Sequence, residues 1–237
     1  LDAKGRATRS HRAVWRAMTR EVAQRWGRTE ARWSPWHQDR PEMRARVVDS
    51  RGEAHDLDPS TLSEAGLQAE DGLVFSDDRV LRAPLPAADA GAVVEELIVV
   101  RDREPAFTEG TTVRLHAPGP ARRWRLRVDA PATLPLRYAV RGGSLPPPVE
   151  RVEGGRRSLS WDAADLPAAT YEDLAPPDQA AAPHVAVSTG ASWRAVGAGY
   201  AALAEGQLAG TDVRDLARRI AGTARTREDA AERVLAF

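Results

Sequence analysis

The sequence contains no cysteine, so a serine triad is the nucleophilic arrangement left to consider. A cysteine–histidine mechanism needs a thiolate beside a base, so the chain cannot supply that chemistry. The Gly-x-Ser-x-Gly elbow that presents a catalytic serine is also absent, and Gly190-Ala191-Ser192 continues into Trp193. The sequence therefore indicates no catalytic residues, and we interpret the chain as not being an enzyme itself.

Metal ligands are present but scattered. No two histidines stand at the i, i+2 or i+4 spacing that would place them together on one strand or helix. Asp56, Asp58, Asp77 and Asp78 could give oxygens to Ca²⁺, but aspartates at such positions more often hydrogen-bond their own turn. We therefore predict no metal site and no cofactor. The histidines are His11, His37, His55, His116 and His184.

Three tryptophans, Trp26, Trp33 and Trp36, fall within eleven residues and precede His37. Aromatic rings can anchor a partner protein or stack on a sugar, since they give a large contact area with few rotors to freeze. Tryptophan is also highly buried on average, and packing of Trp33 and Trp36 into the core is the interpretation that the residue type favours. The candidate binding surface consists of Trp26, Trp33, Trp36 and His37.

Alternating polarity predicts strands along most of the chain. Residues 42–49 and 54–57 alternate on either side of a turn and predict a hairpin, and residues 92–101 form a β-branched run typical of a central strand. Further strands are predicted at 11–18, 31–36, 73–75, 80–83, 111–116, 123–129, 134–141, 156–161 and 185–187. No helical crossover between strands is predicted in the first 180 residues, which argues against a parallel α/β sheet. The fold class is mainly β, a two-layer antiparallel β-sandwich with a short α-helical C-terminal segment.

The predicted domains are a β-sandwich over residues 1–187 and a helical segment over 188–237. Residues 175–179 are rich in proline and predict a linker or surface loop. Thr226 and Asp229 fit a capping box that opens the last helix. That helix presents Val234, Leu235 and Phe237, so we expect further chain to cover it.

Charge excludes one class of partner. The 34 basic and 34 acidic residues cancel, whereas nucleic-acid binding usually needs a net basic domain. A run of arginines near residue 125 alternates with apolar residues, which predicts a strand with one core face and one solvated face. No apolar run approaches the roughly 20 residues of a membrane span. The arginines of this run are Arg122, Arg123, Arg125 and Arg127.

Several short stretches, taken in their order along the chain, resemble the sequence pattern of one family. They are an early strand with Trp15, Arg46-Val47-Val48-Asp49-Ser50-Arg51-Gly52, Phe75-Ser76-Asp77-Asp78-Arg79-Val80, Leu85-Pro86, Gly91-Ala92-Val93-Val94-Glu95, Trp161, Pro176-Pro177, and Ser188-Thr189-Gly190-Ala191-Ser192-Trp193. Together they resemble the bacterial domain of unknown function that precedes transglutaminase-like (papain-related) domains. The helices from Asp212 onward look like the start of that second domain.

The resemblance implies a non-catalytic accessory module that positions or regulates a downstream transglutaminase-like domain, or binds a peptide or protein. It also implies export to the periplasm or beyond. A carbohydrate-binding sandwich that uses Trp33 and Trp36 is the alternative. A hydrolase or metal enzyme in its own right is a third hypothesis, which no residue spacing supports. The expected partners are the downstream domain and a peptide or glycan.

Overall fold

The computed structural model describes residues 1–67, 76–106, 112–116, 120–168, 182–209 and 213–237. The chain divides into two compact units, Leu1–Thr189 and Gly190–Phe237. The described residues form thirteen strands in several antiparallel sheets, and three of the four α-helices lie in the second unit. The predicted mainly β fold with a helical C-terminal part is confirmed. The strand predicted at 73–75 and the linker predicted at 175–179 lie outside the described residues.

Seven strands make two sheets in the first half of the larger unit. One sheet has the order β1-β7-β3-β4 and the other β2-β6-β5, and every pair is antiparallel. The strands are β1 (Thr8–Arg16), β2 (Arg28–Trp33), β3 (Glu42–Val48), β4 (Ala54–Asp56), β5 (Ser63–Gly66), β6 (Arg79–Pro84) and β7 (Val93–Arg101).

The β-branched run lies at the centre of its sheet, as predicted. β7 pairs with β1 on one side and with β3 on the other, so Val94 stands opposite both Trp15 and Val47. Val47 and Val94 are fully buried and pack with Leu85 in one core cluster. The predicted hairpin is β3 and β4, and Gly52 turns between them with a φ of +90°, a value that favours glycine.

A short helix, α1 (Arg20–Arg25), lies in a part of the chain for which the sequence analysis predicted neither a helix nor a strand. The Val22 N–H donates to the Thr19 hydroxyl, which caps the helix, and Ala23 is buried. Six residues give fewer than two turns, which is too short for an apolar stripe to show in the sequence.

Six strands make two sheets in the second half, with the orders β10-β13-β8 and β11-β12-β9. Leu159 and Trp161 of β12 and Val185 and Val187 of β13 belong to one buried cluster. The two sheets therefore share a core, as two packed layers do. The strands are β8 (Thr112–His116), β9 (Ala121–Pro131), β10 (Arg137–Arg141), β11 (Val149–Glu153), β12 (Arg156–Leu166) and β13 (His184–Ser188).

The predicted division of β9 into a core face and a charged face is confirmed. Trp124 and Leu126 pack against the buried cluster, whereas Arg123 and Arg125 both donate to the Asp162 carboxylate on the neighbouring strand. The pKa of Asp162 is lowered, chiefly because the Arg123 guanidinium donates hydrogen bonds to it. Arg123, Arg125 and Arg127 thus pair with carboxylates of their own sheet.

The second unit contains α2 (Trp193–Ala209), α3 (Val213–Ala221) and α4 (Arg227–Leu235). The predicted cap of α4 is confirmed, because the Asp229 N–H donates to Thr226 Oγ1 at 3.1 Å. Trp193, Leu235 and Phe237 are exposed. Among the helices of the described residues, none is both long enough and apolar enough to span a bilayer.

Candidate interaction site

The chain makes a tight turn directly after β2, and this turn carries two of the predicted surface residues. The backbone N–H groups of His37 and Gln38 both donate to the Ser34 carbonyl, at 3.1 and 2.9 Å. The Ser34 N–H donates back to the Gln38 side-chain oxygen at 2.9 Å. The Arg103 guanidinium donates to the Pro35 carbonyl, and its backbone N–H donates to the His37 carbonyl. The turn, which we call the Trp36 loop (residues 34–38), is therefore fixed to the end of β7.

The four predicted surface residues have different environments. Trp36 is 54% exposed, and its ring centroid lies 4.2 Å from that of His37. Trp33 and His37 are buried, so Trp33 belongs to the core, as its residue type favours. Trp26 is exposed and makes an edge contact with Trp15. The structure thus places Trp36 and His37 in one loop, puts Trp33 at the end of the strand before it, and gives Trp26 a different aromatic partner.

A buried carboxylate that the sequence analysis did not single out holds this region together. The Asp102 side chain, only 6% exposed, accepts hydrogen bonds from the Ala7 N–H at 3.0 Å and from Gln38 Nε2 at 2.9 Å. The Arg9 guanidinium lies 3.8 Å away. Asp102 therefore joins the start of β1, the end of β7 and the Trp36 loop. Its partners lie 95 and 64 residues away along the chain, and no local sequence signal marks such contacts.

Alanine at position 102 is expected to lower the free energy of unfolding by about 2 kcal/mol, because it leaves a buried N–H and a buried amide without their acceptor. Urea denaturation followed by circular dichroism measures this loss. Asp39→Ala is the matched control, since Asp39 is half exposed and lies 3.8 Å from Arg103. We expect that control to change stability by less than about 0.5 kcal/mol. Equal losses in both variants would contradict the role of Asp102.

A cleft of about 360 Å³ opens beside the Trp36 loop. Ser34, His37 and Asp78 all line it, so a hydroxyl, an imidazole and a carboxylate occur together. However, Ser34 Oγ donates directly to Asp78 Oδ1 at 2.5 Å, and His37 Nδ1 has no hydrogen-bond partner among the described residues. A serine nucleophile needs its base within hydrogen-bond reach, so this arrangement does not activate one. The cleft is lined by Ala7, Arg9, Arg32, Trp33, Ser34, His37, Gln38, Leu67, Asp78, Asp102 and Ala106.

Three of the aspartates considered for Ca²⁺ have other partners within the described residues. Asp58 accepts from the Ser60 N–H and caps a 3₁₀ turn, Pro59–Thr61, in agreement with the turn interpretation. Asp56 pairs with Arg46 at 2.8 Å. The Asp78 carboxylate accepts from the hydroxyl of Ser34 in the Trp36 loop, so it links that loop to the residues before β6.

A second cluster lies at the turn between β3 and β4. Ligating atoms of Asp49, Glu53 and His55 all lie within 4.8 Å of one another. Asp49 Oδ1 accepts from the N–H groups of Arg51 and Glu53, both at 2.9 Å. The Glu53 N–H is the largest cause that lowers the pKa of Asp49, to about 2, and Arg51 adds to the effect. The sequence analysis missed this cluster because it compared histidines only with one another.

The low pKa of Asp49 makes the hairpin sensitive to acid. A carboxyl group with a depressed pKa in the folded state adds stability above its unfolded pKa, near 3.8, and that contribution is lost as the pH falls toward about 2. We expect Asp49→Ala to be less stable than the original chain at pH 6. The difference should shrink as the pH falls below about 4. Urea denaturation at a series of pH values tests this, and a pH-independent difference would contradict it.

Comparisons with known proteins identify the kind of chain that carries these sites. Residues 3–170 match the family model of a domain of unknown function with a solved structure, DUF3857. The chain is therefore a mainly β domain of unknown function, and it belongs to the DUF3857 family.

A solved crystal structure has the same fold. It is described as that of a "putative protease" from Parabacteroides distasonis, and it is 15% identical to this chain with a TM-score of 0.79. The similarity covers 100% of this chain and 47% of that protein, so the chain spans about half its length. No curated protein matches the chain significantly.

Proposed function

We propose that this chain is a non-catalytic accessory module of a larger bacterial protein. A downstream transglutaminase-like (cysteine peptidase-related) domain would carry the chemistry, and this module would position or regulate it. The observation that carries the proposal is the likeness along the whole chain to about half of a protein described as a protease. Because the chain has no cysteine, a cysteine nucleophile would have to come from elsewhere. Export is part of the proposal and rests on the resemblance found in the sequence.

The Trp36 loop is the contact surface that we propose. Its backbone is held by two hydrogen bonds from Arg103, just beyond β7, so little ordering is needed when a partner binds. Trp36 offers an exposed aromatic ring that rests on His37, and such rings are enriched at binding hot spots. The neighbouring cleft adds two arginines and two aspartates for polar contacts. None of the comparisons points to a carbohydrate.

Site-specific photo-crosslinking in the longer gene product tests this surface. A photoreactive phenylalanine at position 36 should crosslink to residues beyond 237 or to a bound peptide. The same group at position 152 is the matched control, because Val152 is 64% exposed and lies in β11, in the other half of the unit. Crosslinks from position 152 alone, or from neither position, would contradict the assignment of the Trp36 loop.

A further inference from the structure

We propose that Asp49, Glu53 and His55 form a binding site for a divalent cation with zinc-like ligand preferences. The three side chains come from the β3–β4 turn and from β4, away from the Trp36 loop. The inference rests on their mutual geometry and on an imidazole nitrogen that is shielded from solvent and makes no hydrogen bond within the described residues. It does not depend on the proposed accessory function.

The spacing of the ligating atoms suits a small tetrahedral ion. Zinc bonds nitrogen and carboxylate oxygen at about 2.0–2.2 Å, which places neighbouring ligand atoms about 3.3 Å apart. Asp49 Oδ2 already lies 3.6 Å from His55 Nε2. The exposed Glu53 side chain needs only a small rotation, because all three ligating atoms lie within 4.8 Å of one another.

The environment of the His55 imidazole is a second observation that points to a bound ion. His55 Nε2 is shielded from solvent and has no hydrogen-bond partner among the described residues. A buried polar atom without a partner is unfavourable, and its lone pair is the group that zinc binds. The Glu53 carboxylate likewise makes no hydrogen bond or ion pair within the described part of the chain. Neither of these two ligands would have to give up a hydrogen bond within the described residues to coordinate an ion, although His55 Nε2 lies 3.6 Å from the Asp49 carboxylate.

The third ligand is held in place before any ion binds. The N–H groups of Arg51 and Glu53 occupy Asp49 Oδ1, which orients the carboxylate and leaves Oδ2 directed toward His55. Such hydrogen bonds to a ligating carboxylate are typical of the shell that surrounds a metal site.

Arg51 competes with the ion for Asp49 Oδ2. Its guanidinium donates to that oxygen at 3.2 and 3.3 Å, and the side chain is 80% exposed. Because the Arg51 guanidinium is largely exposed and screened by water, its pair with Asp49 is weak, and an ion can displace it. Asp49 and Arg51 also line a broad cleft, which leaves room for water at the remaining coordination position. One imidazole with two carboxylates favours zinc over Ca²⁺ or Mg²⁺, which prefer oxygen ligands alone.

Titration calorimetry of the chain with zinc chloride tests the site, and Co²⁺ absorption spectra report its coordination. We expect one zinc ion per chain. His55→Ala should weaken binding by at least about 100-fold, because it removes a direct ligand. Arg51→Ala should strengthen binding about two- to fivefold, because it removes the competitor. His11→Ala is the matched control, since His11 is an exposed strand histidine, and it should leave binding unchanged.

Circular dichroism in the presence of a chelator verifies that each variant is folded, and His55→Gln replaces His55→Ala if the latter unfolds. The proposal is overturned if the chain shows no saturable zinc binding at micromolar concentrations. It is also overturned if the folded His55 variant binds zinc as tightly as the original chain. Weaker binding after Arg51→Ala would contradict the assigned role of Arg51 and the site with it.

Discussion

Replacing Trp161 by alanine is expected to lower the free energy of unfolding by about 4 kcal/mol. Trp161 is 1% exposed and belongs to the core shared by the two sheets of the second half. Its ring meets that of Tyr138 edge-on, with centroids 5.3 Å apart. Alanine would leave a cavity in the buried cluster that also contains Leu159 and Val185, and the two packed sheets cannot close it completely. Urea denaturation followed by far-ultraviolet circular dichroism measures the loss.

Trp161→Phe is the matched control for that experiment. Trp161 Nε1 has no hydrogen-bond partner among the described residues, so the indole N–H is buried without compensation. Phenylalanine keeps an aromatic ring against Tyr138 and removes this N–H. We therefore expect a loss of only about 1 kcal/mol. Losses of equal size in both variants would show that the contribution of Trp161 does not come from filling the core.

Trp33→Ala and Trp36→Ala are expected to separate folding from recognition. Trp33 is 5% exposed at the end of β2, and its removal should lower the free energy of unfolding by about 3 kcal/mol. Trp36 is 54% exposed, and its removal should change stability by less than about 0.5 kcal/mol. The same denaturation measurement serves both variants.

For binding to a partner, we expect the larger loss from Trp36→Ala and the smaller loss from Trp33→Ala, provided that the variant stays folded. Trp36→Ala should weaken contact with the partner that the crosslinks identify, because it removes the exposed ring of the loop. A large loss of stability in Trp36→Ala would instead assign that residue to the core, as it assigns Trp33. The Trp36 loop would then be excluded as a contact surface.

Local patterns predicted the strands whose two faces differ. β3 and β9 alternate polar and apolar residues because one face of each lies on a core, and that period of two is visible in any window of the sequence. The β-branched composition of β7 predicted its central place in the same way. β5 (Ser63–Gly66) was missed, because it is short and exposed along its whole length and so has no apolar face to reveal it.

Contacts between distant residues could not be predicted from the sequence. The division of the strands over four small sheets depends on pairings such as Thr8 with Arg101, for which no window carries a signal. The structural role of Asp102 could not be predicted for the same reason. Its partners, Ala7 and Gln38, are distant in the sequence and meet it only in the fold. The cluster of Asp49, Glu53 and His55 could have been predicted, because all three residues fall within seven positions around a predicted hairpin. A search for carboxylates beside a histidine would have found it.

The most direct test of the accessory role compares this chain with the complete gene product. Both are treated with a thiol-directed active-site probe and assayed on a panel of peptide and ester substrates. We expect labelling and turnover only in the complete product, with the labelled cysteine beyond residue 237, and no turnover by residues 1–237. Hydrolysis by residues 1–237 alone, or a complete product that ends at Phe237, would contradict the account.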